Sequence, residues 1–130
     1  MWAIEQAAAS KYIDHTKVSL DGDRPPELCA DDASNEDVVR YHLAQHPHDW
    51  VVLLQPTSPL RTIEDIDACI ERAQLGAGCI SVNEIGDTNG AVYVATANWI
   101  REHDFSHRGL MKYRMPDERS LDIDYEDQFE

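Results

Sequence analysis

Residues 50–54 read Trp-Val-Val-Leu-Leu with no polar interruption. A strand with one wet face alternates apolar and polar side chains, so a short unbroken run fits a strand covered on both faces by helices, as in a parallel sheet. This run is expected to be the central strand of the fold. The residues that leave it, Gln55-Pro56-Thr57-Ser58-Pro59-Leu60-Arg61, are polar and stiffened by two prolines, and they sit where layered α/β folds place their ligands. Thr62 and Asp65 then have the spacing of a helix cap, with Ile63, Ile66, Cys69, Ile70 and Ala73 on the inward face and Gly76 and Gly78 at the end.

The same alternation of helix and strand runs along the rest of the chain. Ile4, Ala7, Ala8 and Tyr12 share a helical spacing, Thr16 to Leu20 reads as a short strand, and Asp21-Gly22-Asp23-Arg24-Pro25-Pro26 is a loop. Ser34 with Asp37 caps a second helix that carries Val38, Val39, His42 and Leu43 to about His46. Cys79 to Val82 and Ala91 to Ala95 read as strands, and Ala97 to His103 as a helix. Such a sequence predicts an α/β layered fold with a mostly parallel sheet. At 130 residues it is expected to form one domain spanning residues 1–130.

Composition narrows the function classes. With 42% hydrophobic residues and no apolar run near the roughly 18 residues of a span, no membrane segment is expected. The N-terminus shows no signal-peptide pattern, which points to the cytoplasm. A formal charge of −14 repels phosphate backbones, so nucleic acid is not an expected partner and a bound nucleotide calls for a divalent cation. Cys29, Cys69 and Cys79 are scattered singly with no CxxC pair, as reduced thiols without a special role would be. His42 with His46, and His103 with His107, have i,i+4 spacing but no evident third metal ligand, and His42 shares an apolar face.

Asp122 and Asp124 are one residue apart, so on an extended segment both carboxylates point to the same side and can share a hard cation such as magnesium. By composition alone the segment also reads as a solvated surface, because seven of the last 14 residues are acidic.

The string LLQPTSPLR, Leu53 to Arg61, resembles the signature of the acylneuraminate cytidylyltransferases, the CMP-sialic acid synthetase family. Three further segments resemble the family's motifs in the family's order: RPPELCADDAS from Arg24 to Ser34, NGAVYV from Asn89 to Val94, and RSLDID from Arg119 to Asp124. The resemblance implies a three-layer, nucleotide-diphospho-sugar transferase-like fold. It implies transfer of CMP from CTP to a nonulosonic sugar acid with release of pyrophosphate; a homodimer is expected because the absence of the family's central strand would leave open sheet edges that invite pairing. Arg24 and the backbone of Ala33 to Asn35 would face the nucleotide, Gln55 and Asn89 the sugar, and Asp122 and Asp124 a Mg²⁺ ion.

Family members also carry, ahead of the first helix, a central strand and a Gly-rich loop that grips the triphosphate. The present sequence is expected to be a truncated member that begins at that helix, and this chain alone is expected to lack a complete active site. The alternatives are a catalytically inactive descendant that serves as a binding or protein-interaction module, and an acidic domain that mimics nucleic acid before a basic partner.

Overall fold

The structure, a computed structural model, describes residues 10, 12–13, 34–55, 60–105 and 109–120. The expected elements over residues 4–12 and 16–20, and the loop over 21–26, lie outside or almost outside these residues.

The first described helix, α1, spans Asn35–Gln45. The Ser34 hydroxyl accepts from the Asp37 amide at 3.0 Å, and Glu36 and Asp37 add negative charge where the helix dipole favours it. Strand β1 is Trp50–Leu53. Helix α2, Ile63–Ala73, starts in a complete capping box: the Asp65 amide donates to the Thr62 hydroxyl at 3.2 Å and the Thr62 amide to the Asp65 carboxylate at 2.9 Å. Strand β2, Gly78–Val82, is buried throughout. Strand β3, Thr88–Thr96, runs directly into the short helix α3, Ala97–Glu102, which Thr96 caps. Strand β4 is Met111–Arg114, and a 3₁₀ turn follows at Asp117–Arg119.

The four strands form a mixed sheet in the order β1-β3-β2-β4. β2 and β4 pair in parallel, whereas β3 is antiparallel to both β1 and β2. The expectation of a mostly parallel sheet is therefore corrected in its pairings, although β1, β2 and β4 share one direction. The cause is the connection from β2 to β3: the Asn83 amide donates to the Asp87 carbonyl at 2.8 Å, and a turn this tight returns the chain antiparallel, since a parallel return needs a long crossover.

Period-two alternation divides the apolar residues between two faces. Val51, Leu53, Ile80, Val82 and Ala95 meet Val39 and Leu43 of α1 and Ile100 of α3 on one side. Val52, Leu54, Cys79, Val92 and Val94 meet Ile66, Cys69, Ile70 and Ala73 of α2 on the other. Helices thus cover both faces, as the unbroken run at residues 50–54 requires. Within the described sheet β1 is the edge strand and Trp50 is 39% exposed; the strand expected over residues 16–20 lies outside the described residues. Apolar residues on both faces report what lies above and below a strand, not what lies beside it.

Gly78 also differs from its expected place, since it opens β2 rather than closing α2. A Cβ there would lie 2.2 Å from the Val94 carbonyl oxygen and 2.9 Å from the Ala95 Cα, so close passage of β3 requires glycine. Arg40 joins α1 to α3, donating to the Ile100 carbonyl at 2.6 Å and the His103 carbonyl at 3.2 Å, where a cation satisfies the last carbonyls of the helix.

Candidate functional site

Because β1, β2 and β4 run the same way and β3 runs back, the ends of the first three strands and the start of β3 share one rim of the sheet. That rim is where α/β folds bind ligands. Gln55 lies on it just past β1, and Asn89 lies on it near the start of β3.

Arg61 supports the rim from below. Arg61 is 3% exposed, and its Nη1 donates to the Gln55 carbonyl at 2.9 Å and to the Ala91 carbonyl at 2.7 Å. It thereby ties the loop leaving β1 to β3 beyond the last ladder pair, Leu53 with Tyr93. Burial lowers its pKa, and the negative charge of Asp65 works against that shift.

Asp65 is fully buried, and its carboxylate accepts four hydrogen bonds from three residues. Arg119 grips it side-on, with Nε to Oδ2 at 3.0 Å and Nη2 to Oδ1 at 2.9 Å. The Tyr113 hydroxyl donates to Oδ1 at 2.8 Å, and the Thr62 amide completes the set. Burial alone would raise the pKa of this carboxyl, but the hydrogen bonds from Arg119, the Thr62 backbone and Tyr113 outweigh it and hold the group below the ordinary carboxylate value. The same contact raises the pKa of Arg119, while burial first and the bond to Asp65 second push Tyr113 up to about 12.

Asn89 is 6% exposed, and its amide is committed inside the protein. Its Oδ1 accepts from the Ser81 hydroxyl at 2.6 Å and from the Ala91 amide at 3.1 Å, and its Nδ2 donates to the Ser120 hydroxyl at 3.1 Å and to the Met115 sulfur at 3.4 Å. Ser81, buried in β2, also accepts from the Val92 amide at 2.9 Å. A polar chain therefore runs from the middle of the sheet through Asn89 to Ser120.

The structure brings Gln55 and Asn89 to one rim, with Arg119 rooted close by. Asn35 is the first residue of α1. Arg24, Ala33, Asp122 and Asp124 lie outside the described residues. Among the described residues no group of three or more His, Cys, Asp or Glu side chains could hold a metal ion. Cys69 and Cys79 are free and buried, with the Cys69 Sγ 3.5 Å from the Cys79 carbonyl; the hydrogen bond to Cys79 and burial raise the Cys69 thiol well above its usual range. His103 stacks on Trp99 at 4.0 Å. No described helix is long and apolar enough to cross a membrane.

The second role of Asp65 was missed by sequence reasoning. Its position three residues after Thr62 marks a cap, but nothing local signals a partner 54 residues away. The available signal was an arginine, Arg119, heading one of the four family-like strings. No protein-family model matches this chain, and no curated protein matches it either, so the assignment of the rim rests on its residues and on their resemblance to known motifs.

Proposed function

We propose that the chain is a cytidylyltransferase-like protein of the acylneuraminate type, whose ligand rim is built to receive CTP and a nonulosonic sugar acid. One observation supports this reading above the others: Arg61, the last residue of LLQPTSPLR, is buried and fixes the backbone of Gln55 against β3 at the carboxyl end of the sheet. A proline-rich turn that merely left a strand would not need a buried guanidinium beneath it. In this reading Arg24 and the backbone of Ala33 to Asn35 face the nucleotide, Gln55 and Asn89 belong to the sugar side, and Asp122 and Asp124 supply carboxylates for Mg²⁺. The helices on both faces of the sheet fit a three-layer, nucleotide-diphospho-sugar transferase-like domain.

The reaction of this class needs little covalent help from protein. The anomeric hydroxyl of a 2-keto sugar acid attacks the α-phosphorus of CTP; the new O–P bond forms as the bond to pyrophosphate breaks, and the hydroxyl proton is lost to base. The protein contributes alignment of the two reactants and neutralisation of phosphate charge. Bound magnesium supplies much of that neutralisation in this chemistry. A homodimer belongs to the same proposal. Among the described residues the outer edge of β1 has no strand beside it, and an open edge is a surface for pairing.

A second reading, a non-catalytic binding module on the same scaffold, is favoured by one observation. The guanidinium of Arg119, the arginine of RSLDID, is committed to Asp65. The experiment that separates the two readings is release of pyrophosphate from CTP and Mg²⁺ in the presence of sialic-type sugar acids. Release that depends on the sugar acid supports the enzyme; nucleotide binding with no release supports the module.

A further inference from the structure

The turn Asp117–Arg119 and the adjoining Ser120 are held from three separate parts of the fold. Asp65 of α2 takes the Arg119 fork. Asn89 of β3 donates to the Ser120 hydroxyl, which itself donates to the Pro116 carbonyl at 3.0 Å. At the turn between β2 and β3, the Glu84 amide donates to the Asp117 carboxylate at 3.3 Å, and the Asp117 amide returns a bond to the Glu84 carboxylate at 3.2 Å. The sequence separations are 54, 31 and 33 residues. Four residues on a surface do not need so many distant partners simply to turn the chain. Leu121, Asp122, Ile123 and Asp124 follow Ser120 in the sequence.

We infer that Asn89 is a positioning residue and not a ligand contact: acting through Ser120, and seconded by Asp65 acting through Arg119, it fixes the turn over residues 117–120 against the rim. Hydrogen-bond capacity carries the inference. Asn89 Oδ1 already accepts two bonds, and the two hydrogens of Nδ2 have two acceptors, Ser120 and Met115. Turning this amide toward a sugar would break the 2.6 Å bond from the buried Ser81 hydroxyl and the bond from the Ala91 amide. The consequence for ligand affinity rests on the nucleotide reading above, whereas the mechanical role of Asn89 does not.

The test is a double-mutant cycle of Asn89→Ala and Ser120→Ala with two readouts. The first is amide hydrogen exchange at Arg119 and Ser120, whose amides bond to the Pro116 and Asp117 carbonyls. Each single variant is expected to speed exchange there about threefold to tenfold, and the double variant clearly less than the product of the two, because each single already removes the shared Asn89–Ser120 bond. The second readout is the dissociation constant of CTP with Mg²⁺, expected to weaken by a similar factor in both singles with the same non-additivity. If Ser120→Ala leaves exchange unchanged, or if the two effects multiply, the positioning role is wrong. Unchanged affinity in Ser120→Ala beside a large loss in Asn89→Ala would make Asn89 a direct contact and overturn the inference. Failure of the unmodified protein to bind CTP would sink the nucleotide reading, and the exchange readout would still decide the role of Asn89.

Discussion

At the residue scale, Asp65 joins two jobs that usually fall to different side chains. It closes the capping box of α2, and it is the buried anion to which Arg119 and Tyr113 bind. Removing the cation leaves a carboxylate in a dry site with weakened compensation, which is costlier than removing a surface pair. Arg119→Ala is expected to lower stability by about 2 kcal/mol in urea unfolding, below the range for fully buried pairs because the Arg119 side chain is 32% exposed. Since the folded carboxyl titrates below its unfolded counterpart, its contribution is present above the ordinary Asp value of about 3.9 and disappears as pH falls through the folded value. The gap in melting temperature between the unmodified protein and Asp65→Asn is therefore expected to be full at neutral pH and to close in strong acid. Much of this site was hidden in the sequence. Gln55 and Asn89 stand out as polar residues at strand ends, but the burial of Arg61 and the pairing of Asp65 with Arg119 depend on strands and turns meeting across the fold.

At the scale of elements, the signals that act locally were legible. Ser34 and Thr62 each cap the helix expected of them, and the inward stripe Ile66, Cys69, Ile70 and Ala73 is buried as its spacing requires. Thr62→Ala is expected to cost about 1 kcal/mol by the same unfolding measurement, as loss of a capping hydroxyl does. What eluded the sequence was lateral order. β4 is only four residues long, with Met111 and Tyr113 packed inward and Lys112 and Arg114 exposed, an alternation too brief to separate from a loop. The reversed direction of β3 follows from the tight turn before it, which the apolar pattern does not record. Gly78 shows the same gap: its function is to let β3 pass, and Gly78→Ala is expected to destabilise the fold by about 3 kcal/mol or rearrange the sheet, readable as a lowered melting temperature with shifted amide resonances in β2 and β3.

At the scale of the whole molecule, one end of a mixed sheet carries the polar machinery, and two apolar layers hold that end in place. Its acidic balance of −14 makes binding of a bare triphosphate unfavourable, so a nucleotide must arrive with a cation. The central claim is most directly tested by calorimetric titration of CTP with Mg²⁺ into the purified protein, with the Asp122→Asn, Asp124→Asn double variant beside it. The account predicts saturable heat that requires Mg²⁺ and is lost in the double variant; no heat at millimolar CTP, or heat that the double variant retains in full, would contradict it.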